Sequence, residues 1–208
     1  MVTLHLPPLP PTDPPQVDRI LWFGFPGTIA FDVGGHRGES VHFLEEHGFT
    51  TIHIFEPDSA GAAEIALRYP NYTLVQSAVG DHVGSLTLCD GGGMLRDPGI
   101  SGLDWVSGGA QTTFPCTALD VYCTDTGIVP DLVKVDVEGG EVRVLRGAAE
   151  LVGNNRTAWL FEFHSAENLK VLHQMLGGYC IEVTRHPYYQ HGSHLWQSHG
   201  WLKAVPHR

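Results

Sequence analysis

The sequence predicts an α/β fold, in which a mostly parallel sheet carries helices on both faces. From residue 28 onwards, apolar segments of strand length alternate with amphipathic segments of helix length. The first strand pattern ends in an acid and a glycine turn, Asp32-Val33-Gly34-Gly35-His36-Arg37-Gly38. The last two strand patterns are joined by a loop alone, so we expect them to form an antiparallel hairpin at one edge. The strands joined by helices are expected to be parallel, with right-handed crossovers.

Apolar periodicity and capping residues place the individual elements. The expected strands are Thr28–Val33, Thr51–Phe55, Tyr72–Val79, Ser85–Leu88, Phe114–Leu119, Asp131–Val137, Thr157–Phe163, Tyr179–Thr184 and Trp201–Val205. The expected helices are Gly38–Gly48, one that Asp58 caps, Asp120–Gly127, Glu141–Leu151, and one that runs from a Ser165 cap to Gly177. Because Thr28–Val33 is apolar on both faces, it is typical of a strand buried in a parallel sheet.

Two segments depart from this pattern. Residues 1–27 form a proline-rich arm and lead-in, because proline excludes helix and ladder pairing. We expect the arm to be a tail, or a strap that would provide a homodimer contact. Residues 28–208 form a single domain, within which the glycine-rich segment 90–113 is long enough to be a lid over the site.

Composition limits the function classes. The 208 residues suit one α/β domain with a full-sized core. A net charge of −11 argues against a broad nucleic-acid or anionic-membrane surface, so we expect neither partner. The four cysteines have no zinc-site spacing and are expected to be reduced thiols in a cytoplasmic protein. No signal peptide and no apolar segment of membrane-spanning length is evident.

The glycine turn predicts a nucleoside cofactor. Gly34, Gly35 and Gly38 let the backbone turn sharply and come close to a ligand and to the next helix, with His36 between them. The second strand ends in Glu56-Pro57, where the acid can accept hydrogen bonds from both ribose hydroxyls.

The charge at the turn selects among such cofactors. Asp32 would repel a pyrophosphate but attract the amino group of an amino-acid-bearing nucleoside, which favours S-adenosylmethionine over NAD. The alternatives are a nicotinamide-dependent oxidoreductase and a non-catalytic nucleoside-binding domain.

Acidic and imidazole groups at the ends of two later strands are the catalytic candidates. Asp136 and Glu138 end one strand, and Glu162 and His164 end the next, so all four are expected at the same sheet edge. His164 is expected to be neutral and to act as the general base. Glu141 is interpreted as a helix-cap acid. A divalent cation such as Mg²⁺, held by the acids, is left open.

These motifs resemble the FkbM-type family of S-adenosylmethionine-dependent methyltransferases. The resemblance covers about residues 28–165, and its most specific part is Leu132-Val133-Lys134-Val135-Asp136-Val137-Glu138-Gly139. It implies a seven-stranded, Rossmann-like class I methyltransferase fold and methylation of a hydroxyl on a sugar, glycoside or other small natural-product-like acceptor. It also implies cofactor contacts at Asp32, Gly34, Glu56, Ser77 and Ala78.

Overall fold

The computed structural model describes residues 24–90, 95–96, 110–185 and 199–207. The strands within them are β1 (Ile29–Val33), β2 (Thr51–Phe55), β3 (Thr73–Val75), β4 (Ala78–Val79), β5 (Gly84–Asp90), β6 (Leu95–Arg96), β7 (Gln111–Thr117), β8 (Leu132–Val135), β9 (Ala158–Phe163), β10 (Tyr179–Arg185) and β11 (Gly200–Pro206). The helices are α1 (Val41–Glu46), α2 (Ser59–Arg68), α3 (Leu119–Thr126), α4 (Glu141–Arg146), α5 (Ala149–Gly153) and α6 (Ala166–Met175).

Seven strands form the main sheet, in the order β10-β11-β9-β8-β1-β2-β3. The pairs β3–β2, β2–β1, β1–β8 and β8–β9 are parallel. β11 lies between β9 and β10 and runs antiparallel to both. The expected antiparallel pairing of the last two strands is therefore confirmed, although β11 is inserted into the sheet and β10 alone forms the edge.

Helices cover both faces of this sheet, as expected. One core cluster joins alternate strand residues to α3, α4, α5 and α6, through Phe31, Val33, Val133, Val135, Trp159, Phe161, Leu119, Leu145, Leu151 and Leu172. The other cluster joins the remaining strand residues to α1 and α2, through Ala30, Ile52, Ile54, Leu132, Leu160, Val41, Leu44 and Ile65. Successive side chains of a strand point to opposite faces, and β1 and β8 are apolar on both faces except at Asp32 and Lys134.

A second, four-stranded sheet in the order β4-β7-β5-β6 corrects two expectations. The strand predicted at Tyr72–Val79 is wrong as a single element: β3 ends at Val75, and β4 then pairs with β7 in the second sheet. The Glu56 backbone N–H donates to the Val75 carbonyl at 3.2 Å, which closes the ladder beside β2. The strand predicted at Phe114–Leu119 begins earlier and ends earlier, at Thr117, because β7 pairs antiparallel with β5 from Gln111 to Cys116.

The helix predicted at Glu141–Leu151 is also wrong as a single element. It divides into α4 and α5 at Gly147, where a Cβ atom would collide with the Gly80 carbonyl oxygen. The Asp120 carboxylate accepts hydrogen bonds from the backbone of Glu150 and Leu151, at 2.8 and 3.1 Å, and so caps α5 separately.

Other expectations fall largely beyond the described ranges. These are the proline-rich arm up to residue 23, its homodimer contact, and most of the lid predicted at 90–113. The part of that lid that is described contributes β6 and the start of β7 to the second sheet. No described helix is long and apolar enough to cross a membrane.

Candidate active site

A cleft of about 680 Å³ lies at the carboxyl ends of β1, β2 and β8. The glycine turn and the start of α2 form one wall, and the segment that follows β8 forms another. β5 and β7 of the second sheet close the far side. This volume lies in the range of small-molecule sites.

The glycine turn is tied to β2 by its backbone. The Gly34 and Gly35 N–H groups both donate to the Phe55 carbonyl, at 3.0 and 3.1 Å. Gly34 has a φ of 81°, and a Cβ atom there would collide with the Asp136 carbonyl oxygen. The turn therefore contacts both the end of β2 and the segment after β8, and its sharp path requires glycine.

Glu56 is oriented by two backbone donors. The His36 N–H donates to its Oε2 at 2.7 Å, and the Asp58 N–H donates to its Oε1 at 2.8 Å. Burial raises the pKa of Glu56, and the two backbone hydrogen bonds oppose that rise. Each oxygen can accept a further hydrogen bond, so this cleft-lining carboxylate can bind two adjacent hydroxyl groups.

Asp32 does not line the cleft, in contrast to the expectation that it contacts the ligand directly. Its fully buried side chain forms an ion pair with Lys134, with 3.0 Å between Nζ and Oδ1. The ammonium also donates to the Gly34 carbonyl at 3.0 Å and lies 3.7 Å from Asp136 Oδ2. Burial raises the pKa of Asp32. Burial alone would lower the pKa of Lys134, but the negative charges of Asp32 and Asp136 outweigh burial, so the Lys134 pKa is raised.

Behind the cleft, His164 belongs to a buried polar network. Its Nδ1 lies 2.7 Å from Oε1 of Glu141, whose side chain is fully buried. The Gly139 N–H donates to the same oxygen at 2.8 Å, and the Asn168 amide donates to Oε2 at 2.5 Å. Asn168 also donates to the Gly139 carbonyl at 2.8 Å. Glu141 is thus an acceptor of three groups rather than only a helix-cap acid.

This network keeps His164 charged. Burial lowers its pKa, but the hydrogen bond to Glu141 and the charges of Glu138 and Asp136 outweigh burial and raise the pKa to about 10. An imidazolium cannot accept a proton, so the neutral general base expected from the sequence does not match these surroundings. Burial, followed by repulsion from Asp136, raises the pKa of Glu162 well above its ordinary value.

The predicted site residues divide into two groups. Those that line the cleft are Gly34, Gly35, His36, Glu56, Pro57, Ser77, Ala78, Asp136 and Glu138. Asp32, Gly38, Glu162 and His164 are not among the lining residues. Gly38 packs on the Tyr69 ring instead, where a Cβ atom would lie 2.6 Å from Cε2.

The sequence interpretation missed two site residues, Lys134 and Asn168, and it also missed the network role of Glu141. Lys134 carried a signal, because it is a charged residue within an otherwise apolar buried strand and must have a partner. Asn168 gave no signal, because it lies on an ordinary amphipathic helix.

The second sheet adds an apolar wall that the sequence did not indicate. Leu86 lies opposite Phe114 in the register of β5 and β7, and Leu88 lies opposite Thr112. These four residues share one face of the ribbon, and all four line the cleft. The cleft therefore has apolar lining residues from the second sheet as well as the carboxylates after β8.

The strand order, with one antiparallel strand inserted near the edge, and the glycine turn after β1 define a class I methyltransferase fold. The model of the FkbM methyltransferase domain matches residues 32–194, more than half of the chain. The chain belongs to the FkbM methyltransferase family. No curated protein matches the sequence.

Solved structures share the fold. The FkbM methyltransferase from Methylobacillus flagellatus KT is 16% identical with a TM-score of 0.60, and the match covers 86% of this chain and 44% of that one. An rRNA methylase from Streptococcus thermophilus is 9% identical with a TM-score of 0.56, covering 94% and 97%. A precorrin-6y C5,15-methyltransferase from Geobacter metallireducens GS-15 is 13% identical with a TM-score of 0.52, covering 92% and 87%. The chain thus spans less than half the length of the FkbM structure.

Proposed function

We propose that this protein is an S-adenosylmethionine-dependent O-methyltransferase that acts on a hydroxyl of a sugar, glycoside or other small natural-product-like acceptor. The observation that carries the proposal is the arrangement of the cleft: Glu56, already oriented, lines one wall, and Asp136 and Glu138 line the wall after β8. Family membership supports S-adenosylmethionine over a nicotinamide cofactor.

The residues present fit this cofactor. Glu56 binds the two ribose hydroxyls through the free acceptor positions of its oxygens. Ser77, Ala78, Gly34 and Gly35 also line the cleft. Ser77 and Ala78 would hold the base, and the Gly34-Gly35 backbone would hold the methionine portion. Asp32 acts indirectly, because it holds Lys134 against the Gly34 carbonyl. When bound, S-adenosylmethionine supplies a methyl group on a positively charged sulfur.

The carboxylates after β8 prepare the acceptor. Asp136 and Glu138 accept hydrogen bonds from the acceptor hydroxyl, and the Asp136 carboxylate takes its proton. His164, as an imidazolium, holds both cleft carboxylates in place, with Nε2 at 3.9 Å from Asp136 and 3.6 Å from Glu138.

The acceptor class follows from the contrast between the two sides of the cleft. The carboxylates suit hydroxyl groups, whereas Leu86, Leu88 and Phe114 suit an apolar surface. A glycoside or a similar hydroxylated natural product has both. We further propose a small-molecule acceptor rather than nucleic acid, because the net charge is −11. The four free cysteines support a cytoplasmic location.

Cofactor binding and methyl transfer provide the test. Titration calorimetry with S-adenosylhomocysteine should show binding, and NADH should not compete. Glu56→Gln should weaken that binding about 10- to 100-fold, because a charge-assisted hydrogen bond contributes about 1.5–3 kcal/mol. Asp125→Asn, which changes an exposed acid on α3, is the matched control and should bind normally.

A panel of alkyl and aryl glycosides then tests the acceptor, with S-adenosylhomocysteine release as the readout. Turnover should be lost in Asp136→Asn and retained in Asp125→Asn. A chain that binds NADH but not S-adenosylhomocysteine would disprove the proposal, as would turnover that is unchanged in Asp136→Asn.

A further inference from the structure

We propose that Asp136, Glu138 and His164 form a divalent-metal site at the end of the cleft, and that the imidazole ligand makes the site prefer Mn²⁺ or a similar first-row ion to Mg²⁺. The role given to the metal in positioning the acceptor rests on the proposed function. The metal site itself rests only on the geometry of these three side chains.

The three ligand atoms lie somewhat farther apart than adjacent ligands of a bound metal ion. One atom from each residue lies within 4.8 Å of the others. His164 Nε2 is 3.6 Å from Glu138 Oε2 and 3.9 Å from Asp136 Oδ1. Ligands about 2.1 Å from an octahedral ion lie about 3.0 Å apart when adjacent and about 4.2 Å apart when opposite. The two distances from His164 Nε2 lie between these adjacent and opposite values.

The imidazole is already directed at this point. The side chain of His164 is only 7% exposed, and Nε2 makes no hydrogen bond within the described residues. Its Nδ1 faces Glu141, which is itself held by Asn168 and the Gly139 N–H. A carboxylate on the far nitrogen is the usual support of a metal-binding histidine, because it fixes both the tautomer and the ring. A metal ion would replace the proton on Nε2.

The two carboxylates leave the site open to the cleft. Asp136 and Glu138 both line it, and their side chains are 29% and 18% exposed. Glu138 has a φ of 51°, a conformation that costs a non-glycine residue free energy and that usually persists for a functional reason. Protein ligands from one side of the ion leave the remaining positions to water or to an acceptor oxygen.

The ligand types indicate which ion binds. Mg²⁺ prefers oxygen ligands, whereas imidazole suits first-row transition ions, and Mn²⁺ accepts both. With the ion bound, an acceptor hydroxyl on an open position has a lower pKa, and its proton passes to a carboxylate oxygen not occupied by the metal. No redox change is involved, because the ion acts only as a Lewis acid.

The test is a Mn²⁺ titration of the metal-stripped full chain with S-adenosylhomocysteine present, followed by the loss of the free-ion EPR signal. We expect one tight site per chain in the wild type. His164→Gln and Asp136→Asn should weaken it at least tenfold, and Glu141→Gln about 10- to 100-fold. Asp125→Asn should bind as tightly as wild type. Mg²⁺ should displace Mn²⁺ only at much higher concentration.

A spectroscopic measurement on the wild type keeps the proposal testable if a variant fails to fold. Pulsed EPR of the Mn²⁺ complex should show coupling to an imidazole nitrogen. Absence of that coupling, absence of a tight site, or equal binding by wild type and His164→Gln would overturn the proposal. Calorimetry with S-adenosylhomocysteine on the same samples separates this result from a failure of the proposed function.

Discussion

Replacing Lys134 tests how the glycine turn after β1 is held in place. Lys134→Met removes an ammonium that is 4% exposed, while its partner Asp32 is fully buried. Loss of one partner of a buried ion pair costs about 3–5 kcal/mol, because the remaining charge is uncompensated. The Gly34 carbonyl also loses its donor at 3.0 Å. With a urea m-value of about 2 kcal/mol/M, the unfolding midpoint should fall by about 2 M.

The double variant Asp32→Asn, Lys134→Met completes the experiment. Both buried charges are then absent, so the double variant should be more stable than Lys134→Met alone, by about 2 kcal/mol. The assay is urea unfolding followed by circular dichroism, with S-adenosylhomocysteine binding measured in parallel. A loss below about 1 kcal/mol in the single variant, or a double variant less stable than it, would refute the reasoning.

Three further predictions concern packing, thiol reactivity and pH. Gly61→Ala should weaken S-adenosylhomocysteine binding at least tenfold, because its Cβ would collide with a backbone carbonyl of the glycine turn. The control Gly153→Ala should bind normally, because no atom lies near its Cβ position. Equal affinities of the two variants would contradict this prediction. Iodoacetamide should label exposed Cys180 and spare Cys123, whose pKa burial raises to about 11; mass spectrometry showing early Cys123 labelling would refute it. Burial alone would raise the pKa of Glu39, but the neighbouring imidazole and backbone N–H groups outweigh burial and lower that pKa to about 2. The ionised Glu39 carboxylate therefore stabilises the fold above about pH 4.5, and this stabilisation is lost as the pH falls towards 2. Glu39→Gln should lower the free energy of unfolding at pH 7 by about 1–2 kcal/mol, and its melting temperature should fall less steeply with acid than that of the wild type. Parallel plots of melting temperature against pH for wild type and variant would disprove this.

The parts of the fold that the sequence predicted are those governed by local pattern. Apart from Asp32 and Lys134, β1 and β8 are apolar on both faces. β9 has an acid near its end and is followed by a histidine, so strand type and the shared edge could be inferred. The turn after β1 could be predicted because only glycine tolerates its φ and its contact with the Asp136 carbonyl.

The rest depended on pairing between distant segments. A run such as Tyr72–Val79 carries no mark of a change of sheet, since either sheet would bury its apolar residues. The protonation of His164 depends on Glu141, 23 residues away, and on the carboxylates after β8. Local sequence predicts which groups reach the site, but the charge that they carry follows only from their three-dimensional neighbours.

The ribbon of β5 and β7 has a consequence for engineering. It has its own hydrogen-bond ladder, and within the described residues its two strands pair with each other and with the short strands β4 and β6 rather than with the main sheet. Its inner face contacts the cleft, while Glu56 and the glycine turn belong to the main sheet. Exchanging the ribbon between relatives should therefore alter acceptor choice while leaving cofactor affinity unchanged. Residues 84–117 are the segment to exchange.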